Sequence, residues 1–279
     1  MWTLQVACLD RPGLVAAVAG CIAAHSGNIV DSDQHTDPDD RTFHQRLRFA
    51  LPESSADAFG SALTRLSVDL DLVTRLRRPG RTSRMAIFVS RLDHCLYDLL
   101  LRHAAGELPG EIAVVVSNHP DLSHVADHFG VPYRVVPITP VSRAAHDAAV
   151  IALLGELDID LVVLARYMQL ISPELVARYD GRMINIHHSF LPAFIGAKPY
   201  HQAHERGVKL IGATAHYVTD VLDEGPIIEQ DVIRATHRDT VEDLVRKGRD
   251  VERAVLGRAV RWHLEDRVLR YGNRTVVFA

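Results

Sequence analysis

The stretch MAIFVS at residues 85–90 is apolar on both alternating faces and closes on a serine. A strand with water on one side would alternate apolar with polar, so a run that is apolar throughout reads as a strand covered on both faces. Four more such runs follow: EIAVVVS at 111–117, YRVVPI at 133–138, IDLVVLA at 159–165 and RMINI at 182–186. Segments of helical period separate them, such as DLSHVADHF at 121–129 and RAAHDAAVIALLGEL at 143–157. That alternation predicts an α/β domain built on a Rossmann-like, mostly parallel, doubly wound sheet. Beyond it, KLIGATAHYV (209–218) and GPIIEQDV (225–232) are joined by the short TDVLDE and should be neighbouring strands. A long helix is expected from Thr240, where Asp243 completes a capping pattern, towards Leu269.

The preceding residues have a different rhythm. TLQVACLD alternates Leu4, Val6 and Cys8 as a strand does, and Arg11-Pro12-Gly13 opens a helix with Leu14, Val15, Val18 and Ile22 at helical spacing. His25-Ser26-Gly27-Asn28 ends it. IVDSDQH and FHQRLRFA flank the turn-forming Asp37-Pro38-Asp39-Asp40 and predict an antiparallel pair. Ser54, with Asp57 three residues on, marks a capped start for a helix bearing Phe59, Leu63 and Leu66, and VDLDLVTRL at 68–76 is the last strand. The order βαββαβ is ferredoxin-like. RRPGRTSR at 77–84 is the expected linker, so two domains are drawn, 1–80 and 84–279.

Composition excludes several classes of function. Of 279 residues, 47% are hydrophobic and 24% charged, which is ordinary for a soluble globular chain. No apolar run reaches the roughly 18 residues of a membrane span, and the N-terminus lacks a basic segment leading into an apolar one, so a cytoplasmic location is expected. A formal net charge of −4 offers no basic footprint for nucleic acid or anionic membrane. Partners should be small molecules or further copies of the chain. Cys8, Cys21 and Cys95 are scattered, match no disulfide or metal spacing, and read as small buried apolar residues.

Chemistry concentrates where RMINI runs into two histidines. Open α/β sheets bind ligands beyond the carboxyl ends of their strands. Alternation puts Asn185 and His187 on one side, about 6–7 Å apart, and His188 on the other. An amide can donate to a developing oxyanion, and an imidazole can donate to it or carry a proton, as acyl-group chemistry requires. The plainer reading is that these side chains satisfy strand-end backbone groups. A carboxylate would favour the first. Asp220, Asp223 and Glu224 stand in the loop TDVLDEGPII, and Asp223 is nearest the tight Gly225-Pro226 exit, but position alone does not choose among them. Sixteen histidines raise the question of a metal held by His187, His188, His201, His204 or His216. H-E-x-x-H is absent and no cysteine cluster supports them, so no metal is expected.

Asn185-Ile186-His187-His188-Ser189-Phe190-Leu191-Pro192, then His216-Tyr217-Val218, then Leu222-Asp223-Glu224-Gly225-Pro226, is similar to the N-x-H … D signature of the folate-dependent formyltransferase family. HHSFLPAFIGAKPYHQA and the closing YGNRT resemble its deformylase branch, over residues 84–279, and residues 1–80 resemble an ACT domain. The resemblance implies that Asn185, His187 and Asp223 are catalytic, with Asp223 partly desolvated so that it orients and deprotonates water. It implies a pterin pocket lined by Met168, Gln169, Leu170 and Ile171, with His216, Asp220 and Leu222 contributing. The substrate would be 10-formyltetrahydrofolate, with no separate cofactor, and the formate would serve purine synthesis and one-carbon balance. Without the family, LARYMQLIS is a buried strand entering the next helix at Ser172 and Pro173. The ACT resemblance implies an amino-acid effector, glycine or methionine, at Asp10, Gly13, Leu14, Asn28 and Ile29, and a homo-oligomer; a dimerisation module that binds nothing is the other reading.

Formylating relatives carry either a glycine-rich phosphate loop after the first strand or a further basic domain. FVSRLDHCLYDLL has no glycine between Ala86 and Leu101, and the chain closes at Ala279 with negative charge, which leaves water as the expected acceptor. A transferase to a small amine, or a non-catalytic folate and amino-acid sensor, are the alternatives.

Overall fold

A computed structural model describes residues 1–138, 143–192 and 199–279; part of the HHSFLPAFIGAKPYHQA motif, residues 193–198, lies outside the described residues. Two compact units emerge: Met1–Arg81 with Asp266–Tyr271 and Val276–Ala279, and Thr82–Glu265 with Gly272–Thr275.

In the first unit, β1 (Trp2–Leu9), α1 (Leu14–Ala24), β2 (Asn28–Asp37), β3 (Thr42–Ala50), α2 (Ala56–Asp69) and β4 (Val73–Arg77) form an antiparallel sheet in the order β2-β3-β1-β4. This is the expected ferredoxin-like βαββαβ arrangement. Alternation sends Trp2, Leu4, Val6, Leu47 and Phe49 to one face, where they meet Leu14, Val18 and Ile22 of α1 and Phe59 and Leu63 of α2. Two local expectations change. Ser54 does not cap α2; a 3-10 turn at Glu53–Ser55 feeds it, and Ser55 at the N-cap makes no side-chain cap bond. The last strand starts at Val73 because α2 runs on through Val68 and Asp69, the helical spacing of Leu63 and Leu66 prevailing over the alternation of VDLDL.

The second unit holds β5 (Ser83–Val89), α3 (His94–Ala104), β6 (Gly110–Ser117), α4 (Ser123–His128), β7 (Tyr133–Val135), α5 (Arg143–Glu156), β8 (Leu161–Leu164), α6 (Pro173–Arg178), β9 (Met183–His187), α7 (Pro199–Glu205), β10 (Leu210–Tyr217), β11 (Ile227–Arg234) and α8 (Val241–Leu264). Its sheet runs β11-β10-β9-β8-β5-β6-β7. β5 to β9 are parallel, as the buried apolar runs predict, while β10 and β11 are antiparallel, as their short connection requires. Ala86 and Phe88 of β5 pack with Val150 and Leu154 of α5 on one side. On the other, Met85 and Leu264 of α8 both approach Gly110.

α8 starts at the expected Thr240–Asp243 capping box but stops at Leu264, short of Leu269. Asp266 turns the chain with φ 53, and its carbonyl accepts from Gln5 Nε2 at 2.9 Å and Arg46 Nε at 3.0 Å. The following residues form β12 (Val268–Tyr271), paired with β13 (Arg274–Val277). Those bonds satisfy polar groups on the first sheet that lie far away in sequence, which explains why the C-terminus returns to the first unit. The strand read into LARYMQLIS ends at Leu164, and Arg166, at φ 63, begins an irregular segment that enters α6 at the expected Ser172 cap and Pro173. Cys95 is buried as expected, but Cys8 and Cys21 are only half-buried.

Phe88 is 1% exposed and packs edge-on against Tyr167 with ring centroids 5.3 Å apart. Phe88→Ala should destabilise the protein by about 3–5 kcal/mol. Urea unfolding measures this; a loss below about 1 kcal/mol would show that the site collapses without a cavity.

Candidate active site

β9 and β10 are neighbours, and their register sets Asn185 opposite His216 and His187 opposite Thr214. His216 donates from Nδ1 to the Tyr217 carbonyl at 2.9 Å, and its Nε2 stands 3.2 Å from Asn185 Nδ2. The third group comes from the loop between β10 and β11. Asp223, at φ 58, turns its carboxylate back so that Oδ2 lies 3.2 Å from His187 Nδ1 and Oδ1 lies 3.6 Å from His216 Nε2. Gly225 makes this turn possible. A Cβ at that position would stand 1.7 Å from the Tyr217 carbonyl oxygen. Pro226 completes the anchorage, its carbonyl accepting from Tyr217 N at 2.9 Å.

Burial works to raise the pKa of Asp223, but the donors of His187 and, at longer range, His216 outweigh it and hold the carboxyl well below the usual carboxylate range. Asp223 is therefore partly desolvated, as expected, and held ionised by these donors. His187 keeps Nε2 buried and without a partner among the described residues, so the ring's capacity is not spent on the protein. His188 also differs from expectation. β9 ends at His187, so alternation no longer governs the next residue, and the two imidazole centroids lie 5.0 Å apart beside one cleft. Burial, then the charges of Arg166 and His187, push the His188 pKa down to about 4, so it is neutral at physiological pH.

The cleft has a volume of about 550 Å³, within the range of small-molecule sites, roughly 300–1,000 Å³. Asn185, His187, His216 and Asp223 stand at one end. Met168, Gln169, Leu170 and Ile171 line one wall, and Asp220 and Leu222 the opposite one. Met168, Leu170 and Leu222 are 59%, 63% and 68% exposed. Large apolar side chains gathered open around a cleft mark a ligand surface. Glu224 faces solvent, which separates it from Asp223. The sequence reading missed Arg166 in this wall. Its signal was a cation directly after a fully apolar run, at the carboxyl end of a strand.

His201 and His204 are exposed and, among the described residues, join no cluster. Among the described residues, His94, Cys95 and Glu252 bring their ligand atoms within 4.8 Å of one another. His94 Nε2 already donates to Glu252 at 2.8 Å, and burial, then Glu252, keep the Cys95 thiol protonated, which makes it a poor metal ligand. In the first unit, Asp10 and Gly13 are exposed and Leu14 is buried at the start of α1. Ile29 is level with Trp2 through their common partner Phe49, whereas Leu9 lies at the other end of β1, about 23 Å along the strand. Within one chain, therefore, Asp10, Gly13 and Leu14 do not meet Asn28 and Ile29.

Asn185, His187 and Asp223 converge at the carboxyl end of β9 in a doubly wound sheet, and residues 83–260 match the formyl transferase family model. The chain belongs to the formyl transferase family. Over its whole length it is similar to a formyltetrahydrofolate deformylase of Synechocystis sp., with 52% identity covering 99% of this chain and 98% of that one. It superposes on the crystal structure of a formyltetrahydrofolate deformylase from Pseudomonas syringae pv. tomato with a TM-score of 0.96 and 48% identity, covering 100% of this chain and 94% of that one. A glycinamide ribonucleotide transformylase from Symbiobacterium toebii matches 72% of this chain and 96% of its own, with 35% identity and a TM-score of 0.67.

Because the folded-state pKa of Asp223 is depressed, its ionisation stabilises the fold fully above the unfolded value of about 3.9, and the contribution is lost as pH falls through the folded value. The stability difference between wild type and Asp223→Asn should be largest above about pH 5 and shrink below about pH 4. Denaturant titrations across that range test it; a difference independent of pH would contradict the assignment.

Proposed function

We propose that the protein hydrolyses 10-formyltetrahydrofolate to formate and tetrahydrofolate. The observation that carries this reading is the Asn185–His187–Asp223 constellation at the end of an apolar cleft, in a chain similar over its full length to deformylases. The walls formed by 168–171 and 220–222 would take the pterin, and the formyl group would reach the polar end.

Asp223, ionised, orients water and the His187 ring. Water oxygen bonds to the formyl carbon and one of its protons passes to His187. Asn185 and His187 hold the oxyanion; removing one such donor typically costs about 2.7–4 kcal/mol of transition-state stabilisation. The C–N10 bond then breaks, N10 takes the proton from His187, and formate leaves with release of the remaining proton. No separate cofactor enters these steps. Water as acceptor is supported by the similarity of the chain over its full length to formyltetrahydrofolate deformylases. Incubated with 10-formyltetrahydrofolate alone, the protein should release formate and tetrahydrofolate in equal amounts. Asp223→Asn should slow this by about 10³ or more while folate affinity stays within about tenfold. Near-normal turnover by the variant would refute the role, and dependence on an added amine would favour a transferase.

The first unit is read as a regulatory, oligomerising ACT domain and the second as the catalytic domain of a cytoplasmic homo-oligomer whose formate feeds purine and one-carbon metabolism. Among the described residues no helix is long and apolar enough to cross a membrane. Since the two halves of the effector site lie at opposite ends of the sheet, one site takes Asp10, Gly13 and Leu14 from one copy and Asn28 and Ile29 from another. Glycine or methionine should bind and shift activity, and Asn28→Ala should weaken that binding. Calorimetry showing no heat with any amino acid, and unchanged kinetics, would leave an assembly module only.

A further inference from the structure

Glu252 of α8 is 1% exposed, and both its oxygens are occupied. His94 Nε2 donates to Oε2 at 2.8 Å and the Tyr200 hydroxyl donates to Oε1 at 2.7 Å. Burial alone would raise its pKa, but the His94 hydrogen bond, the Arg166 charge and the Tyr200 hydrogen bond prevail, and Glu252 is held below the usual carboxylate range. Arg166 Nε lies 3.5 Å from Oε2, within ion-pair reach and without a hydrogen bond. Glu252 therefore supplies the counter-charge that lets an arginine be buried here, while its acceptor positions are filled by other groups.

Among the described residues the guanidinium is left with its donors unspent. Arginine carries five N–H groups, and among the described residues none of those on Arg166 donates to a protein acceptor. Its backbone is pinned, with the carbonyl accepting from Ser90 N at 3.3 Å, Ala165 N donating to Phe88 O at 2.8 Å and Met168 N donating to Ser90 Oγ at 3.0 Å. The side chain, 9% exposed, stands in the cleft wall with Asn185, His187, His188 and Asp223. A planar, buried cation with free N–H pairs matches the two oxygens of a carboxylate. Hydrolysis makes such an anion beside Asp223, which is itself negative and repels it. His188, neutral next to Arg166, does not compete as a cation.

We propose that Arg166, held in place by Glu252, His94 and Tyr200, is a binding site for a small monocarboxylate, and that during turnover it receives the formate. The second half of this statement rests on the hydrolytic reading; the first does not. Titration of the resting protein with ¹³C-formate, followed by NMR line broadening, reads binding without turnover. Wild type should saturate, Arg166→Gln should weaken binding by about tenfold or more, and Arg166→Lys, which keeps the charge but not the fork, should fall between. Tetrahydrofolate affinity should change by less than about threefold, since the apolar walls are untouched. If Arg166→Gln does not fold, Arg166→Gln with Glu252→Gln leaves no unpaired buried charge and should show the same loss. Absence of saturation in wild type, or equal formate affinity in the variant, overturns the proposal. A wild-type protein that binds formate through Arg166 yet releases none from 10-formyltetrahydrofolate would refute the hydrolytic reading and the turnover role, and leave the carboxylate site standing.

Discussion

The carboxylate of Asp223 held between two imidazoles is the constraint on which the site depends. His187 and His216 come from adjacent strands, so the sheet fixes their separation before the loop is placed. The loop must then bring an acid back over the strand ends, and it does so with a left-handed Asp223 and a glycine pressed on the Tyr217 carbonyl. A non-glycine residue at positive φ is strained, typically by about 1–3 kcal/mol, and persists because surrounding contacts overdetermine it. Here those contacts are the His187 bond and the Pro226–Tyr217 bond. The same turn that orients the carboxylate sets Leu222 and Asp220 as the far wall of the cleft, so chemistry and ligand binding share one backbone geometry.

Charge is distributed over the cleft in an ordered way. The cleft wall holds ionised Asp223, neutral His188 and the guanidinium of Arg166, which pairs with the buried carboxylate of Glu252. Each acid is kept ionised by side-chain donors and nearby positive charge against the effect of burial. In the proposed hydrolysis the ionised Asp223 orients, and proton movement falls to His187. The apolar walls lower the local dielectric and strengthen each of these interactions.

Much of this was legible in the residues. The parallel core was visible because strands buried on both faces carry no polar alternation, and β10 and β11 because so short a connection permits only antiparallel neighbours. Asn185 and His187 were placed by strand period, whereas the choice of Asp223 over Asp220 and Glu224 needed the family resemblance, since loop direction has no period. His188 was misdirected because the period was extended one residue past the end of β9. Arg166 and Glu252, 86 positions apart in sequence, could not be paired by any local signal. The return of the C-terminus to the first sheet was hidden for the same reason: Gln5 and Arg46 meet the Asp266 carbonyl across more than 200 residues.

The most direct test of the account is a single turnover in H₂¹⁸O. With the protein in excess over 10-formyltetrahydrofolate and no amine present, each formate should carry one solvent oxygen and one oxygen from the formyl group, and the protein itself should carry no label. Formate without solvent oxygen, or label first appearing on the protein, would contradict direct attack by a water that Asp223 and His187 position.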